Sequence, residues 1–479
     1  MMSPQVSVVA SMAFNKRSCT LTASAIIAAF LLTPARADFI GGRIGDAPAS
    51  STSSSANTSP ASDKATQDLI DFLHKQQALA DDDVPGRVAL AQWALDRQMY
   101  TQASQMAREA LSKESDNRPA YRILQQVDNA VQLPLEPKTE AALKAEFKKR
   151  YGRDFKTRNS RHFVLCYDTS DAFAAQLGGA LEKSYDAFMA NFTMNKLRPQ
   201  FLDHRLVVIL FHNRSDYLEY AQKTEGADLQ WAAGYYSQRT NRSAFYDEST
   251  GAEAEEVAHD LGKYRAQLQQ LNAQIDAANA RNNRSLALQL TLQRNNLADA
   301  LGRVDNRVGN TLGMYNSTKT THEAAHQLAF NTGIQKRLVD YPLWFSEGLA
   351  CSFEAEDHTG HRGPAILNPG RVEEVHELMA ANKLMPLDKF IVNPRPASMS
   401  DDDLEVIYAE GWALFHYLYR TNRNGMEKFL DAYNNEKPLM EIPITEQRKI
   451  FTDSFGSDLD ALDTQFKAYL RTLPTGAAP

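Results

Sequence analysis

The chain has 479 residues, 43% of them apolar and 23% charged, with a formal net charge of −7. That composition fits a globular protein of two or three domains. The weak acidic balance, with no basic cluster carrying interleaved aromatics, argues against a nucleic-acid-binding protein.

Residues 1–37 read as a signal peptide. Lys16 and Arg17 precede the apolar run TLTASAIIAAFLL, and Ala35, Arg36 and Ala37 form a small-residue cleavage site before Asp38. The run is too short to cross about 30 Å of hydrocarbon, so cleavage near Ala37 is expected rather than anchoring. No later segment is long and apolar enough to span. The mature protein is expected to be exported, periplasmic or secreted, with no membrane span. Cys19 leaves with the signal. Cys166 and Cys351 either pair or stand as two separate buried thiols.

Residues 38–66, which include APASSTSSSANTSPAS, are a Ser/Thr-rich linker that cannot bury a core. Residues 67–130 read as helices with a break near Arg97–Met99. Ala103, Ala107 and Ala110 follow Tyr100 at the spacing of a close-packed tetratricopeptide-type (TPR-like) helix pair. One repeat does not make a solenoid, so the segment reads as a helical cap rather than a partner-binding groove.

From residue 140 to 250 the pattern turns α/β. HFVLCYDTS (162–170) and RLVVILFHN (205–213) are β-branched and aromatic runs ending in turn residues, with a helical stretch between them. GYYSQRTNRSAFYDE (234–248) reads as one or two strands around a polar turn. Residues 251–308 then carry a heptad seam at Val257, Leu261, Tyr264, Leu268, Leu271 and Ile275. ANARNNRS (278–285) interrupts it, and Leu286, Leu290, Leu297, Leu301, Val304 and Val308 resume it. An antiparallel helical hairpin is expected there, inserted between the sheet and the helix that follows. It would serve as an arm for a protein partner or as a wall beside the active site.

THEAAHQLAF (321–330) carries the chemistry. His322 and His326 fall one turn apart on one helical face, where two imidazoles can take two corners of a zinc tetrahedron. Glu323 is rotated about 100° from His322, able to reach a water at the metal without ligating it. In YPLWFSEGLACSFEAE, Pro342 opens a new helix and Trp344 and Phe345 anchor it. Glu347 lies in that apolar run, and a buried carboxylate needs a cation or hydrogen bonds. The small residues after it allow a close helix–helix approach.

HEAAHQLAFNTG followed by PLWFSEGLACSFE closely resembles the gluzincins, metallopeptidases with HExxH on one helix and a glutamate ligand on the next. More narrowly it resembles a bacterial branch of peptidase-MA-like domains. The YAEGWALFHYLYR segment (408–420) and the strands of 160–248 share the likeness, which covers roughly 140–470 apart from the hairpin. The resemblance implies that His322, His326 and Glu347 ligate Zn2+ and that Glu323 is the general base. Tyr408 is the candidate oxyanion donor, with His416 and His358 behind it. Some gluzincins carry an aspartate four residues after the ligand glutamate, bonded to a histidine ligand. Cys351 stands there here, so Glu354 or another residue must orient the histidines. Arg371, in LNPGRVEEVHELM, is read as a surface ion pair or a contact to a substrate carboxylate.

The expected architecture is therefore α+β. A zincin-like catalytic domain (140–470), a small mixed sheet plus active-site helices, is interrupted by the 251–308 hairpin and preceded by the TPR-like cap. The expected activity is hydrolysis of peptide bonds in a peptide or protein substrate. The alternatives are an inactive or weak zincin-like domain that binds peptides or cell-envelope polymer, and a helical interaction protein working through the hairpin or the N-terminal helices.

Overall fold

A computed structural model describes residues 8–12, 60–114, 117–130, 140–194, 197, 199–226, 229, 232–247, 252–392 and 401–474. The chain is mixed α+β and mostly helical, with a small mixed sheet. It divides into two compact units. One is drawn from the described residues of 140–263 and 305–474 with the strand β1 (Val8–Met12), the other from those of 60–130 and 264–304.

The second of these units opens with α1 (Pro60–Gln77), α2 (Val84–Asp96), α3 (Tyr100–Lys113) and α4 (Arg118–Ala130). Helix α1 begins inside the expected linker, so residues 60–66 are helical backbone. Asp83 starts α2 by accepting the Gly86 N–H at 2.8 Å. The expected break between α2 and α3 is a turn in which Gln98 takes a φ of 59°. Ala91 and Ala94 of α2 and Ala103, Ala107 and Ala110 of α3 are fully buried, which lets the two helices pack with their backbones close.

In the other unit, α5 (Glu140–Tyr151), α6 (Asp171–Met194) and α7 (Arg214–Glu225) flank the sheet. Its strands are β1, β2 (Lys156–Asn159), β3 (Phe163–Tyr167), β4 (Leu206–Phe211), β5 (Ala232–Ser237) and β6 (Arg242–Tyr246), in the order β1-β5-β6-β4-β3-β2. The pairs β3–β4 and β4–β6 are parallel, the rest antiparallel. The parallel centre is covered on both faces, so FVLCY and LVVILF are nearly continuous apolar runs. Val164, Cys166, Ile209 and Phe211 pack with Leu143, Phe147, Tyr217 and Tyr220 of α5 and α7 on one face. On the other, Leu165 meets Gly178 of α6.

Two strands were not expected from the sequence. KTRN of β2 is polar and mostly exposed at the sheet edge, so it lacks the apolar signal of a strand. Strand β1 falls in the segment expected to leave with the signal. Its VVASM sequence satisfies the outer edge of β5, as a β-prone segment does at an open edge. The apolar run of the expected signal and the site near Ala37 lie outside the described residues. Among the described residues no helix is long and apolar enough to cross a membrane. Cys166 and Cys351 are free and buried, so they do not pair.

The hairpin comprises α8 (Ala252–Ala280) and α9 (Arg284–Asn331), joined by a turn in which Asn282 has a φ of 52°. Leu271 and Ile275 pack on Ala278, Ala287 and Leu290. Leu286, expected in the seam, is exposed, because the turn sets the helical phase so that Ala287 faces inward. The side chains of Val257, Val304 and Val308 lie outside the described residues. The sequence suggested a hairpin followed by a separate helix. Instead α9 runs unbroken to Asn331, since no proline interrupts it. The remaining helices are α10 (Leu343–Cys351), α11 (Pro369–Ala380), α12 (Leu387–Phe390), α13 (Asp401–Thr421), α14 (Arg423–Asn435), α15 (Ile444–Phe455) and α16 (Leu459–Leu470).

Candidate metal centre

Two anchors fix the C-terminal end of α9. The Gln327 carboxamide accepts from Ser243 of β6 at 3.0 Å and donates to the Val207 carbonyl of β4 at 3.2 Å. Asn331 donates to Asn241 in the β5–β6 turn at 2.8 Å, and Phe330 stacks on Tyr236 at 5.8 Å. The helix therefore lies on the sheet face opposite α5 and α7, with His322, Glu323 and His326 fully buried.

Helix α10 is buried from Trp344 to Cys351. Trp344 packs on Phe429 and Phe451, and Phe345 on Phe415 and Phe429, which sets the rotation of the helix and turns Glu347 toward α9. Gly348 and Gly411 let α10 and α13 come together, as a Cβ on Gly348 would lie 2.3 Å from the Gly411 carbonyl. The YAEGWALFHYLYR segment is the C-terminal part of a longer helix. That helix opens at Asp401, and Tyr408 sits two turns inside it.

The three predicted ligands converge. His322 Nε2 is 3.2 Å from Glu347 Oε2 and 3.2 Å from His326 Nε2, and His326 Nε2 is 3.6 Å from Glu347 Oε2. Zinc held at 2.0–2.1 Å by tetrahedral ligands sets the ligand atoms about 3.3 Å apart. The observed triangle has that size. Burial pushes the Glu347 carboxyl up, but the facing His326 and His322 imidazoles outweigh it and hold it at about 2.

The other ring nitrogen of His322 is bound as well. Nδ1 lies 2.8 Å from Glu354 Oε1, and Glu354 is gripped by Arg371 Nη2 at 2.9 Å, Arg371 Nε at 3.0 Å and Asn368 Nδ2 at 2.9 Å. Burial opposes its charge, but Arg371 and His322 hold the Glu354 carboxyl well below the ordinary range. An ionised Glu354 accepts a hydrogen bond from the Nδ1–H, so Nε2 is the ring nitrogen that faces Glu347. Nε2 and the Glu347 carboxylate at 3.2 Å are joined by a proton on Nε2 or by a metal cation between them. Of the groups that the sequence offered to orient the histidines, Glu354 is the one on His322 Nδ1.

Cys351 Sγ is 4.0 Å from His322 Nδ1, and His322, Cys351 and Glu354 form a second cluster of metal-ligand type. It is a poor metal site. Both Glu354 oxygens are already committed, the Arg371 guanidinium is adjacent, and burial pushes the Cys351 thiol up to about 12.

Tyr408 is buried, its ring centroid 5.6 Å from that of His322. Burial, and then the Glu347 and Glu323 carboxylates, push the phenol well above its ordinary value, so it stays a neutral donor near both groups. His416 stacks on Trp412 at 5.3 Å and its Nδ1 is 2.7 Å from the Pro364 carbonyl. Burial holds it down to about 4, as befits a core histidine. His358 is exposed. Arg371 is neither a surface residue nor free for substrate, since it is buried against Glu354 and Glu374.

A family model described as a protein of unknown function (DUF1570) matches residues 316–440. That span holds His322, Glu323, His326, Glu347, Glu354, Arg371 and Tyr408. No curated protein matches the chain, and no solved structure does.

Proposed function

We propose that the chain is an exported zinc-dependent metallopeptidase, with a zincin-like catalytic fold and a TPR-like helix pair ahead of it. The observation that carries this reading is the triangle of His322 Nε2, His326 Nε2 and Glu347 Oε2, buried and spaced at 3.2, 3.2 and 3.6 Å. Two neutral imidazoles and one carboxylate form the donor set that suits zinc and leaves a coordination position for water.

A bound zinc ion would supply a Lewis acid that lowers the pKa of a water and polarises a substrate carbonyl. The chain's own groups supply the rest. Glu323, next to His322 but turned away from the ligand face, holds the proton at a carboxylate oxygen and returns it to the leaving amine. Tyr408 offers its phenolic O–H to the oxygen on which charge develops. Glu354 keeps His322 oriented. Burial of all these groups keeps bulk water from competing with them.

Purified wild type and Glu323→Gln, assayed side by side on a quenched-fluorescence peptide library, test the reading. Cleavage by wild type alone, with zinc retained in both, is the expected result. Equal cleavage by the two proteins, or none by zinc-loaded wild type, contradicts it.

A further inference from the structure

The side chain of Arg371 enters the site from behind, on the first turn of α11. Asn368 caps that helix by accepting the Arg371 N–H at 3.3 Å, so one turn of chain presents both groups to Glu354. The Glu354 carboxylate is then saturated. Oε1 accepts from His322 Nδ1 and Arg371 Nη2, and Oε2 from Arg371 Nε and Asn368 Nδ2. A carboxylate has about four acceptor sites, and all four are taken. The parallel fork of Nε and Nη2 fixes the carboxylate plane, which a lysine ammonium cannot do.

The same guanidinium meets the site a second time. Its central carbon stands 5.4 Å from the centroid of the Tyr408 ring, and Tyr408 in turn stands against His322. A desolvated guanidinium over an aromatic face is an attractive contact with a preferred geometry. Glu374 Oε2, 2.8 Å from Nη1, holds the outer end of the fork. The buried guanidinium is thus built into a closed set of contacts, with two of its neighbours being a partner of a metal ligand and the candidate oxyanion donor.

We infer that Arg371 is a positioning residue of the metal site, locking the ring plane and tautomer of His322 through Glu354 and the ring of Tyr408 by stacking. The inference rests on the proposed metal site. It assigns Arg371 no contact with substrate or metal.

Zinc affinity of the folded protein, measured by competition with a chromophoric chelator, is the test. Arg371→Met and Arg371→Lys are compared with wild type, with folding checked by circular dichroism. Zinc affinity is expected to fall by roughly 10–100-fold in Arg371→Met, as when a partner of a ligand is lost. Arg371→Lys should lie between the two, and kcat should fall more than KM rises. A purely structural role would lower the melting temperature and leave the zinc affinity of the folded variant unchanged. That result overturns the inference. If Arg371→Met does not fold, wild-type zinc affinity in Arg371→Lys overturns it equally. Wild type that binds zinc without cleaving peptides defeats the peptidase reading alone, while wild type that binds no zinc defeats both.

Discussion

Gly348 and Gly411 stand face to face where α10 crosses α13. A Cβ on Gly348 would lie 2.3 Å from the Gly411 carbonyl and 2.7 Å from Cβ of Phe415. The glycine directly after Glu347, the proposed third ligand, therefore sets how deeply α10 sits. Gly348→Ala is expected to cost about 1–3 kcal/mol through overpacking, and to weaken zinc retention by shifting Glu347. Urea denaturation and metal content measure the two effects. An alanine variant with wild-type stability and zinc contradicts the close approach.

Gln327 is a tie between α9 and the sheet, with both ends of its carboxamide used. Gln327→Leu leaves the buried Ser243 hydroxyl and the Val207 carbonyl without these bonds. A loss of about 1–3 kcal/mol is expected, read from urea denaturation. A change within error of zero would show that Gln327 does not hold the helix to the sheet.

Tyr408 gives a kinetic prediction. Tyr408→Phe keeps the ring beside His322 and removes only the phenolic donor. A fall in kcat on the order of 100-fold is expected, with KM and zinc content little changed. Unaltered kcat would remove Tyr408 from the mechanism.

Glu410, buried in α13, provides a pH signature away from the metal. Burial pushes its carboxyl up to about 8, although Oε2 accepts the Met385 N–H at 3.0 Å. Between the ordinary value of 4.5 and about 8 the folded state keeps a proton that the unfolded chain releases. Stability therefore falls as pH rises through that window, by at most about 1.4 kcal/mol per pH unit. His416, held down to about 4 by burial, acts oppositely and only below its ordinary 6.5. Above 6.5 His416 no longer opposes Glu410. Glu410→Gln, which keeps the acceptor for Met385, is expected to melt higher than wild type at about pH 8 and to lose this slope. Parallel melting curves for the two proteins would contradict the assignment.

Much of the site was legible because its signals are local. The spacing of His322 and His326 places them on one face of any helix, and the apolar run around Glu347 implied a buried carboxylate seeking a cation. The parallel strands announced themselves as apolar runs. What stayed hidden depends on partners far along the chain. Glu354 was one group the sequence offered to orient the histidines, but Arg371 looks like a surface charge until the fold brings it to Glu354. A candidate signal was the Asn368 cap, which places Arg371 on the first turn of a helix. Strand β2 carries no alternation because an edge strand has little to bury. The seam shift from Leu286 to Ala287 follows from the geometry of the turn before it, which heptad counting does not contain.

Metal content by atomic emission, on wild type and His326→Ala purified without added chelator, addresses the central claim most directly. His326 contributes one corner of the triangle and lies 3.2 Å from His322 and 3.6 Å from Glu347. One zinc per wild-type chain, and zinc lost from the folded variant, is the expected result. No metal in wild type after zinc reconstitution, or equal zinc in both proteins, would contradict a His322–His326–Glu347 centre.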